Sequence, residues 1–234
     1  MRILPWRVLY FLRGRSELLY RLVRFGRWNP NTRRYWDRKY SSNHGFHEDH
    51  QTFLHEQVLA RLPERATVLD LGCGVGVLLE KLRRTGRSPV GMDFSGVAVR
   101  QCREKGFEAV RARLPDLGPL AGRDFGAVTC LETLEHLDDV EAVLRAADSV
   151  LAGGGVFICT VPRCESADDA LSPARFDEHV QAFSVDSLRE QLSAVFRGVQ
   201  VTSIDGTDGK RYLIGVGFSG EGSGTPADQI PQSL

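Results

Sequence analysis

The chain has no apolar run long enough to cross a bilayer. Met1-Arg2 is followed by neither an unbroken apolar core nor a small-residue cleavage site, so no signal peptide is expected. No C-x-x-C pair occurs. The five cysteines (Cys73, Cys102, Cys130, Cys159, Cys164) are odd in number, and several fall in predicted strands. That argues against a disulfide framework or a zinc site and for free thiols in a reducing, cytoplasmic setting. Formal net charge is zero over 234 residues, and no internal repeat is visible. The glycine-rich stretch Gly72–Gly76 has no Lys-Ser/Thr behind it, which excludes a P-loop. It also lacks the third glycine of G-x-G-x-x-G, since Val77 stands there, which disfavours a nicotinamide oxidoreductase.

What is present is a unit of strand, glycine loop and helix. Thr67, Val68 and Leu69 suit a strand buried on both faces. Asp70 closes it, Gly72, Gly74 and Gly76 allow a sharp turn and a close approach to a ligand, and Val77, Leu78, Leu79 and Leu82 have helical spacing. Ligands of such sheets bind outside the carboxyl ends of the strands. A carboxylate at the loop's mouth repels a pyrophosphate and favours a cationic ligand. The next run, Pro89 to Met92, ends at Asp93, a bidentate acceptor suited to ribose hydroxyls, with Phe94 beside it and Ser95 as N-cap of a helix from Gly96 to Lys105. A third strand is predicted at Phe107–Arg111 and a fourth at Phe125–Leu131. A helix follows with Val140, Val143, Leu144 and Ala147 on one face. A turn at Gly153–Gly155 leads to a strand from Val156 to Val161, closed by Pro162. Phe196–Ile204 and Tyr212–Phe218 read as an antiparallel hairpin.

The order D-L-G-C-G-V-G, M-D-F-S, F-G-A-V-T-C-L-E-T-L-E-H-L, L-A-G-G-G-V-F-I-C-T-V-P resembles the class I S-adenosylmethionine (SAM) methyltransferases from roughly Arg65 to Phe218. The resemblance implies a doubly wound, seven-stranded Rossmann-like α/β sheet and SAM as cofactor. Asp70, Gly72, Cys73, Gly74 and Gly76 would then form its methionine and ribose side, Asp93 would hold the ribose, and Phe94 would flank the adenine. Cys130 and Leu131 would sit where strand four meets the sulfonium. The family often places an acid after strand three. Here Ala112, Arg113 and Leu114 stand there, so backbone and Leu114 are expected to hold the adenine.

Methyl transfer to oxygen needs an aligned nucleophile and often a base or metal to deprotonate it. Glu132, Glu135 and His136 (E-x-x-E-H) follow strand four, and His179 (D-E-H-V) lies in the loop after strand five. The four form a candidate divalent-metal set, with Glu132, Glu135 and His136 expected on one helical turn. The motif is similar to that of ubiquinone-biosynthesis O-methyltransferases and of the enzymes that modify the sugar at small-RNA ends. Metal assistance, a metal-free histidine base and a purely structural role stay open. The acceptor expected is a hydroxyl on a small or lipid-linked molecule such as a quinone precursor, glycan or secondary metabolite. An RNA end and a non-catalytic SAM-binding scaffold are the rival readings.

Residues 1–62 are expected to form a basic N-terminal helical arm and lid, 63–218 the methyltransferase domain and 219–234 a disordered Gly/Ser/Pro/Gln-rich tail. Residues 1–40 hold eleven Arg or Lys against Glu17 and Asp37, so the remainder is acidic, which argues against a nucleic-acid surface. Residues 2–28 interleave arginines with apolar stripes. Such a helix either lies on an anionic membrane, here the inner face, or packs on the domain with a solvated basic face. Tyr35, Trp36 and Tyr40 either cover the cofactor or anchor the arm. His44, His47 and His50 drift around a helix and read as a solvated polar segment. Phe53 to Leu62 reads as a helix ended by Pro63, and Ser184 as the cap of a helix to about Leu192.

Overall fold

The computed structural model describes residues 31–42, 48–164 and 178–220. The basic stretch 2–28, the histidines His44 and His47, and the tail from 221 lie outside the described residues, as do 165–177. In chain order the elements are α1 (Arg33–Ser41), α2 (Glu48–Leu59), β1 (Thr67–Leu71), α3 (Val77–Arg84), β2 (Ser88–Asp93), α4 (Gly96–Glu104), β3 (Glu108–Arg111), β4 (Phe125–Leu131), α5 (Val140–Asp148), β5 (Leu151–Pro162), α6 (Val185–Ser193), β6 (Arg197–Asp205) and β7 (Arg211–Phe218). Single 3-10 turns occupy Gly118–Leu120 and Leu134–His136.

The strands form one seven-stranded sheet in the order β3-β2-β1-β4-β5-β7-β6. The first five are parallel, and β7 runs antiparallel between β5 and β6. Alternation of side chains along a strand explains why the sheet is buried on both faces. Leu69 and Leu71 point into the core shared with α5 and α6 through Leu144, Ala147, Leu188 and Leu192. Val68, one residue before Leu69, points the other way, toward Val58 of α2 and Leu78 and Leu82 of α3. All five cysteines are buried free thiols.

Several predicted elements differ in detail. β1 runs one residue past Asp70, to Leu71. α2 ends at Leu59, and Ala60 to Leu62 close the chain in tight turns, because the residue before Pro63 is pushed out of helical backbone. The turn expected at Gly153–Gly155 is an excursion within β5. Leu151 pairs with Phe125 and Val156 with Ala127, so four residues of β5 stand against Gly126 alone. Ser184 and Ser187 form a reciprocal cap at the start of α6, as expected from Ser184.

Candidate active site

β1, β2 and β4 end side by side, and each delivers an acid or its neighbour to the same edge of the sheet. Asp70 is buried and accepts from the Thr129 hydroxyl of β4 at 2.8 Å. Burial pushes its pKa up to about 7. Asp93 is buried too. Its carboxylate accepts from the Gly74 amide at 3.0 Å and the Ser95 amide at 2.7 Å, and burial outweighs those bonds and raises its pKa to about 6.

The loop between β1 and α3 is shaped by left-handed glycines. Gly72 has φ 76°, and a Cβ there would lie 2.4 Å from Thr133 Oγ1. The E-T-L-E-H segment therefore passes directly over the glycine loop. Gly74 lies under Tyr40, whose hydroxyl would stand 3.3 Å from an added Cβ and whose ring 3.4 Å. Tyr40 and Trp36 are buried against Ala98, with Val75, Phe94 and Val97 packed around them. α1 is thus seated over the glycine loop and the start of α4. Arg113 extends over Phe94 at 5.9 Å, and Leu114 packs on the main core. The Cys130 side chain is packed in the core opposite Cys159, and Leu131 is half-buried at the end of β4.

Glu132 departs from the expected helical turn. Its φ is 47°, a left-handed conformation unusual for a non-glycine residue, and the 3-10 turn begins only at Leu134. Its carboxylate is turned toward Thr160 and the charges of Asp208 and Lys210, and burial raises its pKa to about 7. Glu135 is 2% exposed, and its Oε2, like Glu132 Oε1, has no hydrogen-bond partner among the described residues. One ligand atom each from Glu135, His136 and His179 lie within 4.8 Å of one another. Three of the four residues expected in a metal set are therefore brought together, and Glu132 lies outside that group. A first-row ion holds N and O ligands at about 2.1 Å, so these atoms must draw in by about an ångström to share one.

Two loops and α1 build this corner. The amides of Val180 and Gln181 donate to the Glu135 carbonyl at 2.7 and 3.1 Å, which ties the post-β5 segment to the 3-10 turn. The rings of His136 and His179 meet edge to face with centroids 5.0 Å apart. Trp36 lies edge-on to His136 at 5.1 Å. Burial depresses the His136 pKa to about 4. Burial works against the Glu178 carboxylate, but the Tyr35 hydroxyl and the Lys39 ammonium, at 2.9 Å, outweigh it and hold its pKa at about 2. Sequence reasoning assigned no role to Asn31, Lys39, Glu178 or Thr133. Their partners lie far away in sequence, and only the adjacency of Glu178 to His179 hinted at any of them.

A family model described as a methyltransferase domain matches residues 42–201. This chain belongs to the methyltransferase-domain family. The expected class I SAM-dependent methyltransferase, an enzyme with SAM as its cofactor class, is borne out at the level of family and fold. The ubiquinone biosynthesis O-methyltransferase of Xanthomonas axonopodis pv. citri is 39% identical over 120 residues, 48% of this chain and 50% of that protein. The chain thus matches about half the length of such curated relatives. Two solved structures share the fold. The methyltransferase in complex with the Haloferax volcanii Trm112 activator has a TM-score of 0.67 and 22% identity, covering 82% of this chain and 99% of that one. The N-methyltransferase NodS from Bradyrhizobium japonicum WM9, solved with S-adenosyl-L-homocysteine, has a TM-score of 0.66 and 18% identity, covering 82% and 100%.

The residues at the methyltransferase's cleft fit such a cofactor. Two buried carboxylates with raised pKa favour an ammonium and hydroxyl donors, and the glycine loop leaves backbone exposed where side chains would intrude. Among the described residues, no helix is long and apolar enough to cross a membrane.

Proposed function

We propose that this methyltransferase moves the methyl group of SAM to a hydroxyl of a small or lipid-linked acceptor, with a divalent cation held by Glu135, His136 and His179. The observation that carries the reading is the buried Oε2 of Glu135, unpartnered among the described residues and set beside two imidazoles, where the E-T-L-E-H turn crosses the glycine loop. An unpaired buried carboxylate oxygen is costly, and a cation satisfies it. Glu135 and the two histidines supply the oxygen and nitrogen donors of such a site.

The electrostatics separate metal assistance from a histidine base. An imidazole with a pKa of about 4 is a weak proton acceptor near neutral pH, but it is neutral there, as a metal ligand must be. A bound cation lowers the pKa of an acceptor hydroxyl and orients it. Asp70 and Asp93 hold the cofactor's polar ends, while Tyr40 and Trp36 exclude water above the loop. The O-methyltransferase names of the relatives support the oxygen acceptor, and a quinone precursor is the acceptor class they favour.

The test is transfer of labelled methyl from SAM to a prenylated phenol, with a glycan as the other arm, before and after chelation. Transfer to the phenol that is lost with chelator and restored by Mn2+ is expected. Transfer unaffected by chelation overturns the metal, and methylation of neither oxygen acceptor overturns the acceptor class.

A further inference from the structure

Asn31 is 7% exposed and joins three segments that are distant in sequence. Its Nδ2 donates to the Glu178 carbonyl at 2.7 Å and to the His136 carbonyl at 3.2 Å. Its Oδ1 accepts from the Trp36 indole at 3.0 Å. Both amide hydrogens and the carbonyl oxygen are thus used, which fixes the side chain's orientation without ambiguity between O and N. The Glu178 carbonyl that Asn31 holds also faces His136 Nδ1 at 3.2 Å. A carbonyl oxygen only accepts, so Nδ1 carries the proton and Nε2 is left with the lone pair. Nε2 is the nitrogen that faces Glu135 Oε1, at 3.9 Å.

We propose that Asn31 is a positioning residue that sets the tautomer and ring orientation of His136 by holding the Glu178 carbonyl against its Nδ1. The role of a ligating histidine's other nitrogen is generally to fix which nitrogen is free. Here the carbonyl doing so lies 42 residues away, on a segment that the turn also holds through the Glu135 carbonyl. Asn31 ties the Glu178 carbonyl to the His136 carbonyl, and the Tyr35 and Lys39 bonds to the Glu178 side chain join that segment to α1. The consequence for metal affinity rests on the proposed cation site, but the tautomer does not.

The experiment is long-range proton–nitrogen correlation of His136 in uniformly 15N-labelled full-length protein at neutral pH, with Mn2+ affinity measured separately by calorimetry. Asn31→Asp keeps an acceptor for Trp36 and removes both donors, and Asn31→Ala removes all three bonds. Trp36→Phe is the control that spares the donors. The wild type is expected in the Nδ1–H form. Asn31→Asp and Asn31→Ala are expected to mix the two tautomers and to weaken Mn2+ binding about tenfold, the usual effect of losing an outer support. Trp36→Phe is expected to leave the tautomer alone.

Folded Asn31 variants that keep the wild-type tautomer overturn the inference. So does failure of both variants to fold, since a positioning residue is dispensable to the fold. A tautomer that depends on Asn31 in a protein that binds no Mn2+ leaves the inference standing and removes the cation reading. Mn2+ binding with a tautomer indifferent to Asn31 does the reverse.

Discussion

Asp70 and Asp93 lie at the carboxyl ends of adjacent parallel strands, and the pKa of each is raised by burial, to about 7 and about 6. The ordinary value for each is 3.8, so the fold binds these protons more tightly than the unfolded chain does. Their contribution to stability is fully present below pH 3.8 and is lost as pH rises through 6 to 7. His136, depressed from 6.5 to about 4, acts in the opposite sense: its contribution is present above pH 6.5 and is lost as pH falls toward 4. A ligand that sets an ammonium against Asp70 favours its ionised form. SAM affinity is therefore expected to rise about tenfold from pH 6 to 7.5, with proton release on binding. Titration calorimetry in buffers of different ionisation enthalpy reads both quantities. Asp70→Asn should flatten the profile, and a profile as steep as the wild type's would place the proton elsewhere. The charge logic of Asp70 was legible in the sequence, because a carboxylate after a buried strand and before a glycine loop has few uses. The conformation of Glu132 was not. Nothing in E-T-L-E-H marks its first residue as left-handed, yet its φ is 47° and its carboxylate lies outside the group formed by Glu135, His136 and His179.

At the scale of elements, α1 packs over the glycine loop and the start of α4, and one of its polar anchors there is a carboxylate. Asp37 Oδ1 accepts from the Ser95 hydroxyl at 2.6 Å and from the Val97 amide at 3.3 Å, at the first turn of α4. Burial works against its charge, but these donors and Arg33 leave its pKa below the usual carboxylate value. Asp37→Ala is expected to cost about 1 kcal/mol in urea unfolding, as for loss of a charged hydrogen bond at a partly exposed site. The more specific outcome is local: hydrogen exchange in α1 should quicken well before exchange in β1. Uniform quickening across the sheet would show that Asp37 supports the domain and not the docking of α1. The parallel strands were readable because burial on both faces makes them near-continuous apolar runs. The glycine run of β5 was less so. Three glycines look like a turn from sequence, and only pairing with β4 shows that the chain bulges and returns to the same strand.

The whole molecule brings the candidate site together from three directions: the turn after β4, the segment ahead of α6, and α1 over both. The sequence order identified the sheet, since β1, β2 and β4 each end at or beside an acid. Contacts such as Asn31 to Glu178, 147 residues apart, leave no local pattern and had to be seen in three dimensions. The geometry makes a prediction that the E-x-x-E-H motif alone does not. A cation that binds only the folded protein stabilises it by about 2.7 kcal/mol at a hundred times its dissociation constant. For a domain of this size each kcal/mol moves the melting temperature by about 2 to 4 °C. Mn2+ should therefore raise the melting temperature of the wild type by several degrees. Glu132→Gln should keep that rise, because its carboxylate lies with Thr160 and not with the histidines. Glu135→Gln and His179→Ala should each abolish it. If Glu132→Gln removes the rise as well, the turn must rearrange on binding so that the left-handed Glu132 swings back toward His136. If none of the three changes it, the stabilising ion sits elsewhere on the protein and the cluster of Glu135, His136 and His179 is held together by packing and backbone bonds alone.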